Sequence, residues 1–339
     1  MTAAAEPAAP HAEAPRQPDP DVPRTITAPA TNGDRVFRGL LRAAGLSVFA
    51  IMGLIAFFLV LRGGDALRAV GFDFFTEKKW QTQAHNFGIA SVLPNGILIA
   101  VIALVIAVPV ALATAIFISE YAPPRLRATL ISLVDLMAAI PSIVYGLWGL
   151  FFLQPQIIGT VRWMSNHLGD TIPFLKVRTG DIGTSYTSST FIAGVVVSLM
   201  IIPIIISLSR EVFSQAPQGE REGAYALGST RWGMVRTVVL PFGRGGVIGA
   251  VMLGFGRAMG ETIAVALIIS PSFDIMGHIF ENGANSISAL IALRFGESDT
   301  LSLSALMAAG LVLFGITLLV NMAASFVISR SRSGAATAD

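Results

Sequence analysis

Three ionisable residues, Asp135, Arg257 and Glu261, lie inside long apolar stretches of the sequence. Insertion scales put the cost of Asp or Arg at the centre of a bilayer at about 2.5 kcal/mol or more, so each should face a charge, a partner subunit or water. Arg257 and Glu261 are four residues apart and would share one helix face, where a direct ion pair is sterically possible. A guanidinium also offers several planar donors to an oxyanion. A structural pair locking the helix to a neighbour and a pair on a substrate path both remain open.

Asp135 supports a weaker inference than the other two charges. It lies about two turns inside the cytoplasmic end of the apolar stretch that contains it. A snorkelling or capping role at that end therefore competes evenly with a role in a pore.

Other patterns that would do chemistry are missing from the sequence. It has no Cys, which excludes disulfides and thiolate sites, and its four His residues lack the spacing of a metal centre. No Gly-x-x-x-x-Gly-Lys-Ser or Thr phosphate loop occurs, so the chain cannot hydrolyse ATP by that route. A net charge of +2 is too small to suggest nucleic-acid binding. We therefore expect a chain that is not an enzyme and binds no cofactor or metal itself.

Membrane-spanning helices must position the buried charges. With 53% hydrophobic and 13% charged residues, the chain has more apolar surface than a soluble core of this length could bury. A spanning helix needs roughly 17 to 25 mostly apolar residues. We predict an all-α integral membrane protein with six transmembrane helices, near 40–61, 93–118, 128–153, 189–208, 245–270 and 302–328.

Composition also divides the chain along its length. Residues 1–34 are rich in Ala, Pro and acidic residues and predict a disordered cytoplasmic tail. A six-helix transmembrane domain over 35–330 follows, and 331–339 form a second cytoplasmic tail. An N-terminus in the cytoplasm places 14 of the 23 basic residues inside and 8 outside, with Arg257 within a span. Since loops on the cytoplasmic side carry an excess of Lys and Arg, both termini are predicted to be cytoplasmic.

Glycine and proline residues indicate where the membrane helices could pack closely or kink. Gly256 and Gly260 have the small-x-x-x-small spacing of closely packed membrane helices. This packing could be internal to the chain or against a second subunit across a pore. Pro141 in the third span and Pro203 in the fourth are predicted to kink those helices.

A charged cytoplasmic loop at 209–244 separates the fourth and fifth spans. Pro217 suits the first turn of a helix, Glu222 favours its N-terminal end, and Gly228 suits its C-terminal cap. A second helix is predicted from Arg231 towards Pro241. Spacing alone fits a docking helix and a merely solvated helix-turn-helix about equally well.

This loop resembles the docking loop of bacterial importer permeases, which reads Glu-Ala-Ala, three residues, Gly, nine residues, Ile, one residue, Leu-Pro. All spacings are kept, with Gly replacing the first Ala and Val replacing Ile; the matching residues are Glu222, Gly223, Ala224, Gly228, Val238, Leu240 and Pro241. In that family the first helix inserts into a cleft of a nucleotide-binding subunit. The resemblance implies a coupling helix between helices 4 and 5 of the type I importer permease fold, with these motif residues, Val238 aside, as the ATPase-docking residues.

Four further stretches resemble the PstC-type subunit of bacterial phosphate importers. They are Phe74-Phe75 with Trp80, Ser119–Pro123, Ala139–Leu150 and Gly256–Thr262. The resemblance covers roughly 40–330 and implies half of a translocation pore for inorganic phosphate in the bacterial cytoplasmic membrane, with Arg257 and Glu261 on the substrate path. It also implies a PstA-type permease partner, two copies of an ATPase that binds ATP and Mg, and an extracytoplasmic phosphate-binding protein.

Several other functions compete with this interpretation. A permease for sulfate or molybdate, or the PstA-type partner itself, would share most of the pattern, although the stretch from Pro141 to Leu150 argues against both. An ion channel or secondary carrier could use Asp135, Arg257 and Glu261 as a charge relay. Neither needs a loop that docks an ATPase. A purely structural scaffold would leave the charges in the membrane as an unexplained cost.

Overall fold

The computed structural model of the chain describes residues 31–81, 84, 86–178, 180, 182–275 and 277–332. Within these residues, six helical stretches are long and apolar enough to cross a membrane, as predicted. They are Asn32–Val70, Val92–Tyr121, Ser142–Leu168, Thr190–Ser214, Arg231–Gly260 and Thr300–Phe326.

The described elements are thirteen α-helices, one small hairpin, and short π-helical and 3-10 helical segments. The helices are α1 Asn32–Val70, α2 Asp73–Thr76, α3 Val92–Ile116, α4 Pro124–Ala139, α5 Ser142–Trp148, α6 Gln154–Leu168, α7 Thr190–Ser214, α8 Gln218–Ala226, α9 Arg231–Met234, α10 Leu240–Gly260, α11 Ile263–Ile268, α12 Ile287–Arg294 and α13 Thr300–Arg332. The antiparallel strands are β1 Trp80–Gln81 and β2 Asn86–Phe87. Single π-helical segments, Phe117–Tyr121, Gly149–Leu153 and Val235–Val239, extend α3 and join α5 to α6 and α9 to α10.

The chain divides into two compact units. In the first, which ends at Gly53, the described residues form the beginning of α1, and their side chains are almost all exposed. An apolar helix with no buried face of its own suits contact with lipid. The second unit begins at Leu54 and contains the remaining elements.

Helix α7 lies at the centre of the second unit, with α3 and α10 packed against it. Every fourth residue of α3 between Ala103 and Ala115 is a fully buried alanine. Small side chains at this spacing let two helix backbones approach closely in a membrane. Many buried residues of α7 are β-branched, and Ile192, Val196 and Ile205 among them are fully buried.

The third predicted span, 128–153, is wrong in its bounds. Helix α4 ends at Ala139, Ile140 is extended with ψ 128°, and the stretch that is long and apolar enough to cross a membrane is Ser142–Leu168. The cause is Pro141, since a proline lacks the amide proton that helix bonding needs and disfavours helical geometry in the residue before it. Pro203, in contrast, lies buried inside α7 without ending the helix.

The fifth predicted span, 245–270, is also displaced along the chain. The helix runs without a break from Arg231 to Gly260, so the separate second loop helix predicted to end at Pro241 is in fact the beginning of this span. Pro241 lies in the first turn of α10, directly after a π-helical turn. Within the continuous helix the missing amide proton of Pro241 interrupts the regular hydrogen bonding, and the π-helical turn just before it is the local irregularity that accommodates the proline.

Both predicted tails fall mostly on residues that the structure does not describe. Residues 1–30 and 333–339 lie outside the described ranges, so the predictions for these parts stay predictions. At the inner boundaries, Asn32, Gly33 and Asp34 belong to α1, and α13 continues to Arg332, so the helical domain begins and ends slightly beyond the predicted 35–330.

Candidate functional site

The last turn of α10 lines an open groove of about 750 Å³. Arg257 and Glu261 both line it, so the structure brings together the two charges that the sequence singled out. Arg257 is exposed, whereas only 8% of Glu261 is exposed. The other lining residues are Leu59, Ile204, Leu253, Gly256, Gly260, Gly310, Leu313, Phe314, Thr317 and Asn321.

The direct ion pair between Arg257 and Glu261 does not form. Helix α10 ends at Gly260, and Glu261 takes an extended conformation with ψ 124°, which removes it from the helix face. Its Oε1 accepts a hydrogen bond from the backbone N–H of Ala264 at 3.3 Å, in the first turn of α11. The Ser288 hydroxyl donates to the Glu261 backbone carbonyl at 2.8 Å. Glu261 therefore holds the break between α10 and α11, and Arg257 makes no hydrogen bond or ion pair within the described residues.

The small residues of α10 fall into two groups. A Cβ added at Gly246 would lie 2.4 Å from Val212 Cγ2, so this glycine permits close internal packing against α7. A Cβ at Gly256 or Gly260 would meet no heavy atom within 4 Å. The pair with the small-x-x-x-small spacing is therefore open to the groove and is not used for packing within the described chain.

The two interruptions of membrane helices lie next to each other. Helix α5, which follows the break at Pro141, packs on α11, which follows the break at Glu261. A Cβ at Gly146 would lie 2.9 Å from Ala264 Cα, and the Tyr145 hydroxyl donates to the Met137 carbonyl at 2.9 Å across the first break. Irregular backbone at membrane depth is tolerated only where it is buried in protein or lines a cavity. Sequence reasoning had placed both points inside continuous spans.

Asp135, the third charge, does not join this site. It is exposed on α4 and is not among the residues that line the groove. Of the two interpretations of Asp135, a snorkelling or capping role at the helix end is compatible with this position, and a role in this groove is not.

The cytoplasmic loop contains the predicted short helix. Helix α8 covers Gln218–Ala226 with Pro217 before it, and Gly228 follows with φ +80°, the left-handed conformation of a C-terminal cap. Glu222 is exposed, and its carboxylate accepts a hydrogen bond from Gln218 Nε2 at 2.9 Å. Gly223 is open as well, since a Cβ there would meet nothing within 4 Å. The helix thus presents a free face with an acidic group on it.

The structure separates the motif residues into two places. Glu222, Gly223, Ala224 and Gly228 lie together on α8 and its cap, whereas Leu240 and Pro241 begin α10 at the base of the fifth span. Leu240 is half-buried against the hydrophobic core.

Sequence reasoning missed three apolar side chains on the loop. Tyr225, Leu227 and Trp232 are all exposed, Leu227 to 89%. Their signal in the sequence was their occurrence in a charged, cytoplasmic segment that needs no contact with lipid. Exposed apolar residues of this kind mark protein interaction sites when they occur close together.

Comparison with known proteins connects this geometry to a family. Residues 107–333 match the family described as binding-protein-dependent transport system inner membrane component. The chain is 40% identical over 310 residues to the phosphate transport system permease protein PstC 2 of Mycobacterium tuberculosis, which covers 90% of this chain and 95% of that protein. The chain belongs to the PstC-type permeases. It is similarly 37% identical to PstC of Mesorhizobium japonicum over 305 residues, with 89% and 92% covered.

Solved structures place the PstC-type chain in the same fold as other importer permeases. The bacterial alginate ABC transporter in complex with its pentasaccharide-bound periplasmic protein matches with a TM-score of 0.58 at 15% identity, over 89% of this chain and 98% of that one. The inward-facing MetNI methionine ABC transporter matches with a TM-score of 0.52 at 14% identity, over 72% and 95%. The chain therefore has the type I ABC importer permease fold, as predicted. As a permease it is a multi-pass membrane subunit of an ABC importer and not an enzyme, and the ATPase and the binding protein of such a system are separate subunits.

Proposed function

We propose that the chain forms half of the translocation path of an ATP-driven importer of inorganic phosphate, with Arg257 as a cation along that path. The supporting observation concerns Arg257, which is exposed in a groove lined by residues of four candidate membrane spans and forms no ion pair within the described residues. An uncompensated guanidinium there is costly unless an anion visits it. A phosphate oxyanion matches the planar donors of Arg.

The open shape of the groove supports a second permease subunit that completes the path. Gly256 and Gly260 add no side chains to the α10 wall, no heavy atom lies within 4 Å of a Cβ placed on either, and the groove is open on one side. A PstA-type partner opposite this wall would close it. A path bounded by a few donors suits transport, because an ion that is bound too tightly could not leave. Glu261, held at the break, would limit the positive field of Arg257 without pairing with it.

Energy for transport would enter through α8, which we assign as the coupling helix. Two copies of an ATPase would hold ATP and Mg on the cytoplasmic side, where both termini of this chain would also lie. Binding of ATP would close the ATPase dimer and open the pore outward to accept phosphate from an extracytoplasmic phosphate-binding protein. Hydrolysis would return it to the inward-facing state. The free face of α8, with Glu222 and the neighbouring apolar residues Tyr225 and Leu227, is the surface that supports docking.

The substrate is tested by uptake of radiolabelled phosphate in a phosphate-transport-deficient cell that expresses the complete complex. Arg257→Gln should abolish uptake with normal assembly and ATPase binding, and excess sulfate or molybdate should not compete with the native protein. Arg244→Gln is the matched control, since Arg244 lies on the same helix, is exposed and does not line the groove. Normal uptake by Arg257→Gln would assign Arg257 to packing, and competition by sulfate or molybdate would point to another oxyanion.

Docking is tested separately by capture of the ATPase from detergent extracts of the complex. Glu222→Lys reverses the charge on the free face of α8 and should abolish capture while the folded subunit stays in the membrane. Unchanged capture would contradict the assignment of α8.

A further inference from the structure

An ion pair between a partly buried arginine and a buried glutamate joins the cytoplasmic loop to the end of the second span. Glu120 lies in the π-helical segment that ends this span and is only 6% exposed. Its two carboxylate oxygens accept hydrogen bonds from Arg221 Nη1, at 3.0 Å and 2.8 Å. Arg221 belongs to α8, 101 residues further along the chain. The pair therefore connects the helix of the docking loop directly to a membrane helix.

The remaining donors of Arg221 fix the guanidinium in place. Nε donates to the Ala216 carbonyl at 3.1 Å, and Nη2 donates to the Phe213 carbonyl at 2.6 Å. These carbonyls lie at the end of α7 and in the turn that leads into α8. One side chain thus holds together three segments: the end of the second span, the end of α7 and the start of α8. Hydrogen bonds between charged groups are the stronger ones, and salt screens a buried pair less than an exposed one.

The side chains of Arg127 and Arg231 also contact this π-helical segment. The Arg127 guanidinium donates to the Ile118 carbonyl at 2.9 Å and to the Ser119 carbonyl. The guanidinium of Arg231, at the start of α9, lies 4.9 Å from the centre of the Tyr121 ring. Both helices of the cytoplasmic loop therefore contact adjacent residues of one segment. A π-helical turn in a longer helix is often found at a functional position.

Helix α8 depends on these contacts because it has little packing of its own. None of its residues is buried, whereas the second span is packed along α7 by its row of buried alanines. A buried ion pair is weak evidence for stability, since an apolar pair of the same volume often stabilises as well or better. It does fix geometry, because its hydrogen bonds are directional. The pair is thus suited to passing on a displacement.

We propose that Glu120 and Arg221 transmit movement of α8 to the second span, as positioning residues that do not touch the substrate. The proposal depends on the proposed docking of the ATPase to α8. A push or pull on α8 displaces Arg221, and the directional bonds to Glu120 carry the displacement to the end of the second span. When the pair is weakened, the ATPase still docks and turns over, but less of its motion reaches the membrane helices.

The test measures phosphate uptake and ATP hydrolysis in the same proteoliposomes, reconstituted with the complete complex. Glu120→Gln keeps size and a neutral hydrogen bond, and should lower the phosphate transported per ATP hydrolysed by about tenfold, the scale of weakening a charge-assisted bond. ATPase capture should stay normal. The reciprocal exchange, Glu120→Arg with Arg221→Glu, should recover part of the ratio. Arg210→Gln is the matched control and should leave the ratio unchanged, because Arg210 lines the same cavity of about 160 Å³ but makes no hydrogen bond or ion pair within the described residues.

Two results would overturn the transmission role. The first is a native transport ratio in Glu120→Gln, and the second is a parallel loss of uptake, hydrolysis and ATPase capture, which would mean that the pair only builds the loop. If Glu120→Gln does not fold, Arg221→Lys keeps the charge but cannot reach all three partners, and should lower the same ratio. Failure of Glu222→Lys to affect capture would instead count against the proposed docking, so the two proposals fail separately.

Discussion

Two glycines on α10, Gly246 and Gly256, test which small residues of this helix pack inside the chain and which are open to the groove. A Cβ at Gly246 would lie 2.4 Å and 2.7 Å from the two methyl carbons of Val212, and 3.0 Å from its Cβ. A valine inside a helix has one strongly preferred rotamer, so Val212 cannot turn away. A Cβ at Gly256 would meet no heavy atom within 4 Å. The same substitution on one helix therefore has opposite steric consequences.

The size of the effect follows from two opposing terms. Extra carbon in a well-packed core costs about 1 to 3 kcal/mol. Replacing Gly by Ala in a helix interior gains about 1 kcal/mol. We expect Gly246→Ala to lower the free energy of unfolding by up to about 2 kcal/mol, and Gly256→Ala to leave it unchanged or raise it by up to about 1 kcal/mol.

The measurement is the apparent midpoint of thermal unfolding in detergent, followed by the loss of monodisperse protein. A shift of about 2 to 4 °C per kcal/mol in domains of 150 to 250 residues predicts that the Gly246→Ala midpoint falls several degrees below that of Gly256→Ala. Equal midpoints would refute the assignment of Gly246 to internal packing. Gly256→Leu, which fills the groove, should abolish phosphate uptake at a near-native midpoint, and undiminished uptake would show that the groove is not the path.

Three further outcomes are expected. Glu261→Ala removes the acceptor for the Ala264 amide and should destabilise the subunit by about 0.5 to 2 kcal/mol, whereas Glu261→Gln keeps an acceptor and should have a midpoint closer to native. Gly228→Ala strains the φ +80° cap by about 1 kcal/mol and should weaken ATPase capture about fivefold, without lowering the thermal midpoint of the membrane helices. The hydrogen bond from Lys176 lowers the pKa of Asp170, so this contact stabilises the fold above the ordinary pKa of Asp and is lost as the pH falls through the lowered value. Lys176→Met should raise the Asp170 pKa towards its ordinary value in an NMR titration and leave phosphate uptake at neutral pH unchanged.

Hydropathy was enough to predict the six spans, because the number of apolar stretches is a property of the local sequence. Hydropathy alone did not give the correct bounds of the third and fifth spans. The break at Pro141 has a local cause that the sequence shows, but an averaged apolar window hides it. The break at Glu261 has a local contact, the Ala264 amide on its carboxylate, and a distant one from Ser288, 27 residues away. The distant contact could not be predicted from the local sequence.

The docking loop shows the same limit on a smaller scale. Pro217 and Gly228 are helix signals with a local cause, and the predicted short helix lies between them. The partner of Arg221 could not be predicted, since Glu120 is 101 residues away and the sequence gives no spacing rule for such a pair. Only the folded chain shows that a charge counted as cytoplasmic surface is bound to the end of a membrane helix.

The continuous helix from Arg231 to Gly260 gives the cytoplasmic loop a second connection to the groove. At 1.5 Å per residue its 30 residues span about 45 Å, from the loop to the last turn, where Arg257 lies. The π-helical turn Val235–Val239 and Pro241 are the points where this helix can bend, and the 21 residues of α10 join them to the last turn with Arg257. Helix α10 ends at Gly260, and the extended backbone of Glu261 separates it from α11. Helix α11 is in turn held to α5 by the close contact of Gly146 with Ala264. The break at Glu261 thus separates the α10 wall of the groove, which is continuous with the cytoplasmic loop, from α11, which packs on α5.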